Sequence, residues 1–154
     1  MSLQIKDFLT EDVIQLQRKD NLNWSEAIKL AAQPLLDKGL ILNKYIEKMV
    51  ENVHTFGPYI NLAENFAMPH ARPEDGALDI GVSLLILDAP VYLLEQKEHP
   101  VKVILCISCK DATTHLEVIA SLADFLSEDG NLKRLEECTT KNEVLEIFRE
   151  EVHL

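Results

Sequence analysis

The spacing of apolar residues changes character along the chain and divides it into short elements. "DVIQLQ" (12–17) alternates apolar and polar, the period of a half-buried strand. "SLQIKDFL" (2–9) before it reads as a short helical opening. "WSEAIKLAAQPLLDKG" (24–39) has helical spacing, with Asn23 as its cap, Glu26 in its first turn and Gly39 at its end. Pro34 is expected to kink or break that helix, because proline removes a backbone donor. Asn43 is expected to cap a second helix, "KYIEKMVENVHTF", which Gly57-Pro58 stops. "YINLA" (59–63) and "NFAMPH" (65–70) read as short strand-like pieces, the second ending at Pro69-His70. "ALDIGVSLLILDA" (77–89) is a long apolar run that predicts a central strand. "VYLLEQKEH" (91–99) reads as an edge strand or loop, and "VKVILCIS" (101–108) as another core strand.

A helical part follows. "TTHLEVIASLADFLS" (113–127) places Glu117 three residues after Thr114, and "TKNEVLEIFREEV" (140–152) places Glu143 three after Thr140. Both spacings predict capping boxes. In the first of these helices Leu116, Ile119, Ala120, Ala123 and Leu126 are expected to form the buried face. "GNLKRLEEC" (130–138) predicts a short helix between them. The fold class is α/β, a mixed central β-sheet flanked by α-helices, with residues 1–154 forming one domain.

Composition narrows the function. Apolar residues make up 47% of the chain, enough for a core. The formal net charge is -11, an acidic balance that repels nucleic acid and anionic lipid. The N-terminus has no apolar signal region, and no apolar run approaches the roughly 18 residues that span a bilayer. A cytoplasmic protein is expected. The three cysteines do not read as a disulfide framework. Cys106 and Cys109 form a C-x-x-C on a predicted strand, where residues three apart point to opposite faces. That geometry suits neither a dithiol nor a metal pair.

Candidate chemistry centres on two histidines. His153 and His99 read as surface residues, and His54 lies near a helix end, where the dipole mildly favours a positive imidazole. His70 stands between Pro69 and Pro73 in "FAMPHARPED", so its backbone direction is fixed on both sides. A nucleophilic histidine needs such fixing: one ring nitrogen held as a donor, the other free to attack. The same residues also fit an ordinary proline-rich turn. His115 follows Thr114 at a helix start, where the dipole lowers its pKa and free N–H groups favour an anion. It fits an exposed helix start equally well.

Two segments carry a resemblance. "AMPHARPEDGA", with "GPYI" beginning thirteen residues ahead of the histidine, and "DATTHLEVIASLADFL", preceded by "PVKVILCIS", together closely resemble enzyme IIA of the bacterial sugar phosphotransferase system (PTS). The match is to the mannitol/fructose superfamily, and "PHARPE" is similar to its ascorbate-type branch. The resemblance implies that His70 accepts a phosphoryl group from phospho-HPr through Nε2 and donates it to a cysteine of the cognate EIIB. His115 would support the phosphoryl group, with Thr114 beside it. No cofactor or metal is implied. The carrier would associate transiently with the membrane EIIC complex and would not touch the sugar, expected to be L-ascorbate or a relative. The docking face is expected to be an apolar patch edged by Glu64, Glu74 and Asp75.

Three features depart from the family pattern. Ala63-Glu64-Asn65 occupies a turn that often holds glycine. His54 stands where the mannitol branch has an arginine, sixteen residues before the active histidine, so His54 or Arg72 would have to meet the phosphate. The usual Phe-Gly or Phe-Asn near residues 91–99 is absent. A regulatory IIA-like module, signalling by its phosphorylation state, would use the same residues. A metal hydrolase built on His54, His70 and His115 lacks any recognisable ligand spacing.

Overall fold

The computed structural model describes residues 7–17, 22–128 and 130–150. Its ordered elements are β1 (Ile14–Gln17), α1 (Trp24–Asp37), α2 (Asn43–Phe56), β2 (Asn65–Ala67), β3 (Gly81–Tyr92), β4 (Pro100–Ser108), α3 (Ala112–Ser127), α4 (Asn131–Glu136) and α5 (Lys141–Glu150). Most of the expected opening helix, and His153, lie outside the described residues. The four strands form one sheet in the order β1-β3-β4-β2. β3 and β4 pair antiparallel, while β1 on β3 and β2 on β4 are parallel, so the sheet is mixed.

β3 and β4 read as continuous apolar runs because both sheet faces are covered. Leu85, Leu87, Ile104 and Cys106 pack under α1 and α2, and the alternate residues Leu84, Ile86, Val103 and Leu105 pack under α3, α4 and α5. This period of two also separates the C-x-x-C. Cys106 and Cys109 are both buried, but they belong to opposite sides of the sheet. Burial pushes their thiols up to about 12 and about 11.

α1 begins as expected, with Asn23 and Glu26 exchanging cap hydrogen bonds. Pro34 does not break it. Proline cannot donate to the carbonyl four residues earlier, and the Gln15 side chain from β1 donates to that carbonyl, Leu30 O, at 2.7 Å. In the same turn Ser83 of β3 donates to Ala31 O at 2.6 Å. The sheet thus satisfies polar groups next to the proline.

Several expectations are corrected. Leu42, not Asn43, is the N-cap of α2, and it makes no side-chain cap. The chain entering α2 is held instead by the Leu42 N–H on Gly76 O at 2.8 Å and by an Ile41–Ala77 bridge. "YINLA" is a turn with one bridge, Ala63 to Phe66, because Gly57-Pro58 breaks the chain direction just before it. Val91 and Tyr92 continue β3, and the segment then closes in a 3-10 turn over Leu93–Glu95. The buried face of α3 is Val118, Leu122 and Phe125. Leu116 is 67% exposed, and Ala120 and Ala123 are exposed too, while Ile119 and Leu126 pack half-buried against the core as expected, so the stripe is rotated by about a third of a turn from the one the sequence suggested. The Thr140–Glu143 box forms as expected, with the Glu143 N–H on the Thr140 hydroxyl and the Thr140 N–H on the Glu143 carboxylate.

Candidate functional site

His70 leaves the sheet just beyond β2 and is fixed at each neighbouring residue. The Met68 N–H donates to Ile60 O at 2.9 Å, and Pro69 O accepts from the Ile107 N–H at 3.3 Å. The Ala71 N–H donates to the Tyr45 hydroxyl at 3.1 Å, which donates to Ile107 O at 2.7 Å. The imidazole itself closes back on the chain, with Nδ1 2.9 Å from Met68 O. A carbonyl only accepts, so Nδ1 carries the proton and Nε2 of the neutral ring keeps its lone pair.

His115 faces His70 with ring centroids 5.3 Å apart and planes tilted by 50°. It lies deeper in its helix than expected. The cap of α3 is Asp111, whose carboxylate accepts the Thr114 N–H at 2.7 Å and the Thr114 hydroxyl at 3.0 Å. The backbone N–H of His115 already donates to Asp111 O at 3.2 Å, so only its ring can offer a donor to an anion. Thr114 is therefore the capped residue and not the cap. The signal was present in "DATT", since aspartate is a stronger N-cap than threonine. The Asp111 carboxyl is held below the usual range by the hydrogen bonds from Thr114. His115 is half-buried, and its pKa is lowered first by burial and second by the charge on His70. It is neutral near pH 7, as the sequence suggested, with burial as the main cause.

The two histidines share a cleft of about 480 Å³ with Phe56, Tyr59, Arg72 and Leu116. The Tyr59 ring meets His70 edge-on at 5.7 Å, and Phe56 meets Tyr59 at 6.4 Å. Phe56 is 70% exposed and Leu116 67%, so the cleft has an apolar rim open to solvent. Such a rim around a reactive group suits a protein partner. Asn52 also lines the cleft and hydrogen-bonds to Tyr59. Asn52, Phe56, Tyr59 and Tyr45 were not anticipated, because they come from α2 and the turn after it.

The remaining expected residues divide. Arg72 lines the cleft, and among the described residues its guanidinium has no ion-pair partner. Asp75 accepts the Arg72 backbone N–H at 3.0 Å and so belongs to the turn. His54 packs edge-on against Trp24 at 4.9 Å and, like Thr114, does not line the cleft. Glu64 lines a separate depression with Lys97, Glu98 and His99, not the expected docking rim. Among the described residues no group of three or more histidines, cysteines and carboxylates could hold a metal ion. None of the described helices is long and apolar enough to cross a membrane.

Residues 7–151 match the family described as "Phosphoenolpyruvate-dependent sugar phosphotransferase system, EIIA 2". The ascorbate-specific PTS system EIIA component of Salmonella typhimurium is 33% identical, covering 95% of this chain and 96% of the relative. The mannitol-specific cryptic phosphotransferase enzyme IIA component of Escherichia coli is 34% identical, covering 95% and 98%. Its solution structure superposes with a TM-score of 0.86 at 33% identity over 96% of this chain and 99% of that one. The mannitol enzyme IIA of E. coli, solved in complex with phosphorylated mannitol enzyme IIB, gives a TM-score of 0.79 at 27% identity, covering 92% and 97%. The mixed sheet, the paired histidines and these relatives lead to one assignment: the chain belongs to the EIIA 2 family of the phosphoenolpyruvate-dependent sugar phosphotransferase system.

Proposed function

We propose that His70 is the phosphoryl carrier, that phospho-HPr is its donor, and that a cysteine of a cognate EIIB is its acceptor. The observation that carries this reading is the Nδ1 contact with Met68 O at 2.9 Å, which leaves Nε2 as the nucleophile. In the first step the Nε2 lone pair bonds to phosphorus, and the bond from phosphorus to its donor atom breaks with its electron pair. In the second, a thiolate of EIIB bonds to phosphorus and the electron pair returns to Nε2. Nδ1–H stays on Met68 O throughout, so no proton has to move within the ring.

Neutral His115 offers an N–H to the phosphoryl oxygens from the facing side of the cleft, and Arg72 offers charge. Arg72 fills the part that the sequence left between it and His54. The apolar rim of Phe56 and Leu116 lets the same cleft meet donor and acceptor in turn, because transfer needs near-contact distance. The whole chain acts as one domain in the cytoplasm, associating transiently with the membrane EIIC complex and never touching the sugar. The transported substrate is L-ascorbate or a related sugar, a reading supported by the "PHARPE" segment and the ascorbate-specific relatives.

The test is a reconstituted relay of phosphoenolpyruvate, enzyme I, HPr, this chain and a series of EIIB proteins. Acid-labile label should appear on the chain and pass to the ascorbate-type EIIB faster than to the mannitol type. Label that enters but leaves only by hydrolysis, with every EIIB, would refute the carrier role.

A further inference from the structure

We propose that Tyr45 is a positioning residue for phosphoryl transfer, holding His70 in the tautomer that presents Nε2. The proposal rests on the reading of His70 as the carrier. Tyr45 lies in the first turn of α2 and is fully buried. Its hydroxyl has one proton and two close backbone partners of opposite kind. Ile107 O, at 2.7 Å, only accepts, so the hydroxyl proton goes there. The Ala71 N–H at 3.1 Å only donates, so it takes a lone pair of the same oxygen. Ala71 O lies at 3.2 Å as a second acceptor within reach. Burial raises the phenol above its ordinary pKa, which favours the protonated, donating form.

The consequence is a clamp. Ile107 on β4 holds the residue before His70 directly, through its N–H on Pro69 O at 3.3 Å. It holds the residue after His70 through Tyr45. With both flanking peptides tied to one strand residue, the backbone of His70 is set where its ring meets Met68 O, with Nδ1 at 2.9 Å. The tyrosine also supports the far end of the segment. A Cβ at Gly76, whose φ is +128°, would meet Tyr45 Cβ and N at 3.3 Å, so the turn after Pro73 lies directly on the start of α2. Only a glycine permits both that φ and that approach.

Tyr45→Phe keeps the ring and removes the oxygen. A merely structural tyrosine and a positioning one both predict a lower melting temperature, since two buried backbone groups lose their partner. They differ in what happens to His70 well below melting. The positioning role predicts that the His70 ring-nitrogen shifts, read by ¹⁵N NMR, move from the Nδ1–H form toward a tautomer mixture. It also predicts that single-turnover uptake from phospho-HPr slows by about ten- to hundredfold. Trimethylamine N-oxide, which raises stability by exclusion from the surface, should restore the melting temperature and neither of the other two readouts. Unchanged His70 shifts and uptake in a folded Tyr45→Phe would overturn the proposal.

Should that variant not fold even with the osmolyte, the wild-type protein decides. The Ala71 amide is expected to exchange with deuterium as slowly as the amides of β4. Exchange at the rate of an open loop would overturn the clamp. Failure of the wild-type chain to take up any phosphate would instead refute the carrier reading, while the tautomer comparison still tests the clamp.

Discussion

His70 and His115 stand with ring centroids 5.3 Å apart, and the chain holds them in opposite ways. His70 is fixed by hydrogen bonds at Met68, Pro69 and Ala71 and by one of its own ring nitrogens. His115 is carried on the first turns of α3, and among the described residues no hydrogen bond holds its ring. One histidine is committed to a single tautomer before any ligand arrives. The other keeps its nitrogens uncommitted and is tuned by burial. A nucleophile needs the first arrangement, because its lone pair must be in place. A supporting donor benefits from the second, because its N–H must meet oxygens that arrive only with the transferred group.

Replacing each histidine should break this comparison unequally. His70→Ala removes the proposed nucleophile, and acid-labile label from phospho-HPr should fall below detection while circular dichroism stays that of the folded protein. His115→Ala should still be labelled on His70, but transfer should slow by about 10²–10³, the loss for one oxyanion donor of about 2.7–4 kcal/mol. Rapid-quench kinetics reads this. A wild-type rate in His115→Ala would make the facing ring a packing residue only.

Asp111→Ala sharpens the contrast, since the cap acts on His115 and not on His70. Losing the bond to the Thr114 N–H should lower the melting temperature by about 2–4 °C for a chain of this size. Transfer should slow less than in His115→Ala, and the His70 ring shifts should not move. The smallest effect is in titration. His115 should titrate below 6.5 by NMR, and in His70→Ala its pKa should rise toward 6.5, because both the facing charge and part of the burial are gone. The unfolded chain binds a proton near 6.5 while the fold resists, so acidification below 6.5 weakens the fold down to the folded pKa. His115→Ala should lose that slope.

What the sequence revealed follows the same division. The rigid setting of His70 was legible because its cues are local, two prolines and a strand pattern that ends at the first of them, while its assignment as the site came from the family resemblance of "AMPHARPEDGA". β3 and β4 were legible as apolar runs, and the caps at Asn23 and Thr140 as residue pairs three apart. α3 was misread where two local rules competed. Thr114 and Glu117 have capping-box spacing, yet Asp111 is the stronger acceptor and starts the helix earlier. That shift puts Leu116 on the cleft rim and Val118 and Leu122 in the core. Tyr45 was illegible for another reason. Its partners Ala71 and Ile107 lie 26 and 62 residues away, and nothing near position 45 announces a hydroxyl bond across the sheet.

The central claim is that His70 carries the phosphoryl group on Nε2, and the protein labelled with ¹⁵N-histidine and phosphorylated by phospho-HPr tests it most directly. Phosphorus–nitrogen coupling in the NMR spectrum should appear at Nε2 of His70, with the Nδ1 proton still bonded to Met68 O. Coupling at Nδ1 of His70, or at any nitrogen of His115, would contradict the account.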